Sequence, residues 1–337
     1  MQHPIYNLRI FIHLLKYLNL RKIKNFLQIY LSYLLSHKSP KFGSHFRPAF
    51  ISVEPADFCQ LQCPECPVGQ NARNKGEKIN NSLYTKIIDE LKPDLLHVIF
   101  YFQGEPLLNK DLNEMISYAH QAKIFTSTST NAQLLNSDKA KELVLSGLDK
   151  LIISIDGTTQ EVYEKYRKGG RLDKAIQGVK FVDEWKKSLK SFTPVIEIQM
   201  VVTRVNEHQI NEMKSLARSL NANRLVFKSA QLYNFENGNE LLTSIGKYAR
   251  YKKLKDGKYA IKNKLPDKCL RMWSGAVMTT GGELLPCCFD KDAAHSFGNV
   301  SGTSVAGVWH NAKASGFRTS ILTNRKQHEI CRNCTGK

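Results

Sequence analysis

Residues 51–69 read Ile51-Ser-Val-Glu-Pro-Ala-Asp-Phe-Cys59-Gln-Leu-Gln-Cys63-Pro-Glu-Cys66-Pro-Val-Gly69, a short β-branched run followed at once by three cysteines at C-x3-C-x2-C spacing. Three thiolates this close can occupy three corners of one cluster but cannot close a tetrahedral zinc site, which takes a fourth ligand from elsewhere. A 4Fe-4S cube held by only three cysteines keeps one iron open to a substrate or cofactor.

Outward from this loop, β-like and helix-like stretches alternate. Strands are predicted at 49–54, 97–102, 124–129, 150–155, 195–202 and 224–229, with helices at 82–91, 110–122, 137–146, 171–188 and 206–220. Six βα units in series imply parallel strands joined by right-handed crossovers. Six is short of the eight that close a barrel, and chemistry in such folds gathers at the C-terminal ends of the strands. The unusual residues lie there: Gln103-Gly104-Glu105-Pro106 after the second strand, Ser129-Thr130-Asn131 after the third, and Ser154-Ile155-Asp156-Gly157 after the fourth.

Taken jointly and in this order, these motifs resemble the radical S-adenosylmethionine (SAM) superfamily. The resemblance implies an α/β fold with a partial (β/α)6 barrel. It makes Cys59, Cys63 and Cys66 the ligands of a 4Fe-4S cluster whose open iron chelates SAM. It places Gly104 and Glu105 at the amino group of the SAM methionine, Ser154 at the ribose and Arg167, in Tyr-Glu-Lys-Tyr-Arg, at the carboxylate; Asn131 is a further cofactor contact. Arginine suits a carboxylate because its fork pairs with both oxygens. Two departures stand out. Gln103 replaces the first glycine of the family's GGEP. Glu65 stands where an aromatic residue often packs on the adenine, which leaves Phe58 as the candidate wall. Gln199 on the fifth strand either reaches the adenosine or is a core amide, and Glu197 on the same face is equally ambiguous.

From about residue 265 the alternation stops. Cys269, Gly281-Gly282-Glu-Leu-Leu-Pro-Cys287-Cys288 and Cys331-Arg-Asn-Cys334 supply four ligands, Cys269, Cys287, Cys331 and Cys334, for a zinc site or a second 4Fe-4S cluster. The pattern resembles SPASM/twitch extensions, which implies an auxiliary iron-sulfur cluster acting as electron relay or acceptor. Phe297-Gly298-Asn299 and Trp309 resemble the linker of those extensions. Gly281-Gly282 stands where Asp-Gly is usual, so a turn contact is expected to be missing. Cys288 is left over and reads as a buried thiol or a spare ligand. The expected organisation is a basic helical extension over 1–47, the barrel over 48–230, a linker over 231–264 and an auxiliary-cluster domain over 265–337.

The formal charge is +19 over 337 residues, and it is uneven. Residues 1–53 contain no Asp or Glu and eight Lys or Arg; a second basic run spans Lys247 to Lys268. Residues 5–36 read as one or two amphipathic helices, with Ile10, Leu14, Tyr17 and Leu18 on one apolar stripe and Leu27, Leu31, Leu34 and Leu35 on another, broken near Asn19 and Leu20. The uncharged run between Lys24 and Lys38 is shorter than the roughly 20 residues that cross a bilayer. The expectation is a helix packed on the outside of the barrel; contact with a membrane interface through residues 1–36 is the second reading. No signal peptide is visible, so a cytoplasmic protein with metal-binding rather than disulfide-bonded cysteines is expected.

The resemblance implies reductive cleavage of SAM and hydrogen abstraction by a 5′-deoxyadenosyl radical, with the electron drawn from a donor such as flavodoxin or ferredoxin. The expected activity is an oxidoreductase acting on a small sugar or polyol, with peptide modification as the alternative. A reading from another class is a basic Fe-S or zinc protein binding nucleic acid, which the absence of an RRM or KH signature disfavours. No proton acceptor stands out; Asp290 and Lys228 are plausible by position only.

Overall fold

The computed structural model describes residues 4–36, 46–71, 75–263 and 265–335. Most of the loop expected from Pro40 to Pro48 lies outside the described residues. Two helices come first, α1 (Pro4–Leu15) and α2 (Leu20–Leu35), and then the alternation β1 (Phe50–Val53), α3 (Asn81–Leu91), β2 (His97–Phe100), α4 (Leu112–Gln121), β3 (Phe125–Thr130), α5 (Ser137–Leu145), β4 (Lys150–Ser154), α6 (Gln160–Tyr166), α7 (Leu172–Ser188), β5 (Val195–Val202), α8 (Ile210–Ser219) and β6 (Arg224–Ser229). β1 to β6 pair in parallel, each with its sequence neighbour. All six predicted strands are present. The helix predicted at 171–188 is preceded by the short α6, which hydropathy alone did not mark.

Asparagines start several of these helices. Asn19, Asn80 and Asn136 accept hydrogen bonds from backbone N–H groups of the first turns of α2, α3 and α5, satisfying donors that have no partner within the helix. The break read at Asn19 is therefore a cap.

Alternation along the strands sorts side chains onto two faces. Ile51, Val53, Val98, Phe100, Leu151, Ile153, Ile196 and Ile198 are buried against the helices in one large apolar cluster. Phe50, Ser52, His97, Ile99 and Gln199 are only half-buried on the opposite face, where the sheet curves round an open lumen.

Beyond β6 the chain makes a small hairpin of β7 (Tyr251–Lys253) and β8 (Tyr259–Ile261), and then returns to the barrel through α9 (Arg271–Ser274). β9 (Gly275–Met278) lies parallel to β1 on its free edge, and β10 (Glu283–Leu285) and β11 (Gly298–Asn299) follow antiparallel. The result is one nine-stranded sheet in the order β11-β10-β9-β1-β2-β3-β4-β5-β6. The C-terminal cysteine segment is thus hydrogen-bonded to the strand that launches the first cysteine loop. Helices α10 (Val305–Trp309), α11 (Ala312–Asn324) and α12 (Glu329–Arg332) complete the chain.

The N-terminal helices pack on the outside of the barrel, but not by their leucine stripes. They sit across the N-terminal ends of the strands, and polar residues hold them there. His13 Nε2 lies 2.5 Å from Asp149 Oδ1, and the Tyr17 hydroxyl donates to the same oxygen. Arg21 forks onto Asp94 at 2.9 and 3.0 Å. Lys22 Nζ donates to the Lys123 carbonyl at 2.5 Å, and Asn25 exchanges hydrogen bonds with the Arg47 backbone. Of the stripe residues, Tyr17 is buried but Leu14, Leu18, Leu27, Leu31, Leu34 and Leu35 are exposed. The leucine stripe faces outward because the inner face pairs with groups at the strand ends and packs Phe26, Ile29 and Tyr33 on the core. Among the described residues no helix is long and apolar enough to cross a membrane.

Candidate functional site

The first cysteine loop is folded back on itself and clamped by the ends of β2, β3 and β4. Gly104 makes the clamp possible: a Cβ there would stand 2.2 Å from the Ala56 carbonyl oxygen and 2.8 Å from both N and O of Phe58. With no Cβ, the β2 exit lies flat on the loop, and Glu105 N–H donates to the Phe58 carbonyl at 2.9 Å. Gly69 plays the same part at the other end, where a Cβ would meet Cys63 N at 2.8 Å.

Glu105 is buried, and its carboxylate accepts from Thr130 Oγ1 at 2.6 Å, Leu107 N at 3.1 Å and Asn131 N at 2.9 Å. Burial pushes its pKa up, opposed by those donors. The residue braces the β2 and β3 exits against each other. Asn131 then points Nδ2 at Cys59 Sγ, 3.4 Å away, while its Oδ1 takes Gln60 Nε2 at 3.2 Å. Leu61 N–H also donates to Cys59 Sγ at 3.4 Å.

The serine motif after β4 works through its aspartate. Asp156 accepts from Val201 N at 2.6 Å and from Arg167 Nε at 2.5 Å, and Arg167 Nη1 lies 3.9 Å from Cys63 Sγ. Arg167 is thereby held between a buried carboxylate and the cysteine loop. Ser154 Oγ makes no hydrogen bond among the described residues and stands at the strand end in register with Gln199. Gln199 Nε2 donates to Glu197 Oε1 at 2.6 Å, and Glu197 pairs with Lys150 at 2.9 Å and Arg224 at 3.4 Å. Gln199 is thus bonded along its own strand, not to a neighbouring one, and stays half-buried on the lumen face. The Phe58 ring is half-buried, with Lys78 Nζ 5.8 Å from its centroid.

Glu65 has a visible use. It accepts from Tyr233 N at 2.9 Å and Asn239 Nδ2 at 3.3 Å, and so ties the segment after β6 down over the cysteine loop. Lys291 packs on the Tyr233 ring at 4.7 Å, and burial lowers its pKa while the nearby Cys66, Cys288 and Glu65 raise it.

The second cysteine set gathers round a cavity of about 950 Å³. Cys269, Cys287, Cys288, Cys331 and Cys334 all line it, and its other wall is the lumen side of β1 and β2 with Tyr101. Cys288 is half-buried rather than buried, with Arg271 Nη1 2.9 Å from its sulfur. Arg325 Nη2 stands 3.5 Å from Cys334 Sγ. Arg271 and Arg325 carried no signal in the sequence, because no motif marks an arginine that folding alone brings to a thiol. The Gly281-Gly282 turn lacks nothing: Gly282 adopts φ +84°, which favours glycine, and Asn299 Nδ2 holds the Gly281 carbonyl at 2.7 Å. Phe297 and Trp309 are buried, with the Arg318 guanidinium 4.1 Å from the Trp309 ring. Asp290 is occupied as the acceptor of a local turn, bonded by Ala294 N and His295 N, and Lys228 is exposed on the last barrel strand.

The donor sets fit iron-sulfur clusters. Burial pushes Cys59 up to about 12 and also raises Cys63, Cys287 and Cys331, so these sulfurs are thiols until a metal displaces their protons. N–H donors and arginines already aimed at them favour the thiolate form. Among the described residues no three His, Cys, Asp or Glu side chains converge as a single-ion site. A cubane gives each thiolate its own iron and needs no such convergence.

Residues 53–217 match the radical SAM superfamily, and residues 269–335 match the SPASM iron-sulfur cluster-binding domain. The chain is 25% identical over 290 residues to the PqqA peptide cyclase of Bradyrhizobium diazoefficiens, covering 79% of this chain and 74% of that protein. Among solved structures, Streptococcus suis SuiB bound to its precursor peptide SuiA superposes with a TM-score of 0.63 at 16% identity, covering 94% of this chain and 77% of that one. BtrN in complex with AdoMet and 2-DOIA gives 0.50 at 17% identity, covering 86% and 93%. Two clamped cysteine sets on one sheet and both family matches lead to one conclusion: the chain belongs to the radical SAM superfamily, uses SAM and 4Fe-4S clusters, and carries a C-terminal SPASM domain.

Proposed function

We propose that this protein is a radical SAM enzyme that modifies a peptide. The observation that carries the reading is its relation, across barrel and SPASM domain together, to the PqqA peptide cyclase and to SuiB with its peptide. The sugar or polyol oxidoreductase expected from the cysteine spacing becomes the second reading, supported by the likeness to BtrN, which is weaker by TM-score.

In this reading Cys59, Cys63 and Cys66 hold the SAM-binding cluster, and Cys269, Cys287, Cys331 and Cys334 hold the auxiliary one. The first cluster, when bound, supplies the electron that cleaves SAM to methionine and a 5′-deoxyadenosyl radical. The chain's own residues do the positioning. Asn131 and Leu61 N–H donate to Cys59, and Asp156 fixes Arg167 beside Cys63 with an Nη face available to the SAM carboxylate. The backbone at Gly104 and the remaining lone pairs of Glu105 serve the amino group, and the unengaged Ser154 hydroxyl serves the ribose. Gln199, fixed by Glu197, borders the adenosine, and Phe58 lines its approach. Arg271 and Arg325 place positive charge beside the auxiliary thiols, which raises a cluster's potential and favours electron acceptance. The 950 Å³ cavity between lumen and auxiliary thiols falls at the upper end of the usual range for ligand sites.

The test is an anaerobic, reconstituted enzyme given host extract fractions, with 5′-deoxyadenosine formation as readout. Stimulation abolished by protease and unaffected by periodate supports a peptide substrate. Stimulation that survives protease and is lost after periodate cleavage of vicinal diols supports the sugar or polyol.

A further inference from the structure

We propose that α1 and α2 form a docking face for an anionic lipid surface, which seats the enzyme with its barrel mouth turned away from the membrane. Of the sixteen large apolar residues exposed in the described chain, twelve fall between Phe11 and Leu35. A scatter of single exposed apolar residues is ordinary, whereas a contiguous patch marks an interaction surface.

The arrangement of α2 sharpens the point. Leu20, Ile23, Leu27, Leu31 and Leu34 recur at helical spacing along one exposed stripe, and Lys22, Asn25 and Ile29 form the buried face opposite. Folding turns Lys22 and Asn25 inward onto Lys123, Arg47 and Asp94, packs Phe26, Ile29 and Tyr33 on the core, and leaves the leucine stripe in water. The barrel core gains little from that stripe, so its use lies outside the monomer.

Charge selects the occupant. The extension has no carboxylate to repel an anionic surface, and the whole chain carries a formal charge of +19; Arg21, Lys22 and Arg47 are engaged at the barrel base, so Lys16 and Lys24 carry the charge of this face. Lys24 stands exposed on the stripe between Leu20 and Leu27, and Lys16 stands exposed at the turn between the helices. An apolar stripe with lysines on and beside it is the pattern of a helix lying in a lipid interface, where acyl-chain contact and anionic headgroups act together. Because both helices cap the N-terminal ends of the strands, a membrane beneath them leaves the C-terminal ends, with the first cysteine loop, facing solution.

The experiment floats the full-length reconstituted protein with phosphatidylcholine vesicles prepared with and without phosphatidylglycerol. Binding to the anionic vesicles at least about tenfold tighter than to the neutral ones is expected, weakening with salt. Leu27→Glu/Leu31→Glu should abolish flotation. Lys16→Glu/Lys24→Glu should cut anionic binding at least about tenfold and leave neutral binding unchanged. All four positions are exposed, so thermal melts of both variants should match the parent. Three results would overturn the proposal: no flotation, flotation indifferent to the leucine changes, or a dimer seen by light scattering that the leucine changes dissociate, which would assign the face to a second copy of the chain.

Discussion

Replacing Gly104 with alanine isolates one steric requirement of the SAM site. The new Cβ would lie 2.2 Å from the Ala56 carbonyl oxygen, about 1.2 Å inside the 3.4 Å at which ordinary contact begins, and about 0.6 Å inside it at two Phe58 atoms. All three are backbone atoms, so no rotamer change relieves them, and the loop leading into Cys59 must move by on the order of 1 Å. Overpacking of this kind costs about 1–3 kcal/mol, and three simultaneous backbone contacts place Gly104→Ala near the upper end, a fall of several degrees in thermal midpoint. Displacement by about 1 Å at a reacting site costs on the order of a hundredfold in rate, so SAM cleavage should fall by that factor or more. Gly281→Ala is the control: nothing lies within 4 Å of its Cβ position, and the protein should keep its midpoint and activity. The assay pairs thermal melts with iron counts and 5′-deoxyadenosine formation. A Gly104→Ala protein with unchanged midpoint and turnover would show that the loop does not depend on this close approach, and the clamp argument would fail.

Other perturbations test separate parts of the site. Cys59→Ala/Cys63→Ala/Cys66→Ala should lower iron from about eight to about four per chain, since each cubane holds four irons, and stop SAM cleavage; four irons in the parent with zinc making up the rest would remove the auxiliary electron role. Glu65→Ala should free the segment around Tyr233 and Asn239, raising its proteolysis about fivefold for the loss of roughly 1 kcal/mol of hydrogen bonding, with iron content intact and Glu65→Gln partly restoring protection. Burial among Phe50, Phe125 and the lumen pushes His97 down to about 4. The unfolded chain takes up that proton near pH 6.5, so stability should fall as pH drops from 6.5 towards 4, by about 2 kcal/mol for a partly accessible ring. His97→Gln should flatten that slope in urea titrations, and an unchanged slope would disprove the assignment.

The six barrel strands, their parallel run and the grouping of the cysteines were legible in the sequence because they rest on local rules, whereas the addition of β9 to β11 beside β1 was not. Alternation marks a strand, helical periodicity marks a helix, and thiol spacing within a loop hardly depends on the rest of the chain. The substrate class was not legible: the polyol expectation rested on resemblance in cysteine spacing, and the peptide reading proposed above rests on similarity to other proteins. The motif residues stand at the strand ends, but their work was assigned one by one. Glu105, Thr130 and Asn131 form a brace, and Asp156, never singled out, anchors Arg167.

Other features only the tertiary structure decided. Amphipathicity showed that α1 and α2 have an apolar side, but which side meets the protein depended on Asp94, Lys123 and Asp149 waiting at the strand feet. Arg271 and Arg325 reach their thiols, and Glu65 reaches the segment after β6, across 9 to 174 residues of chain. Local composition carries no trace of such partners, because a hydrogen bond between distant segments exists only after the sheet has brought them together.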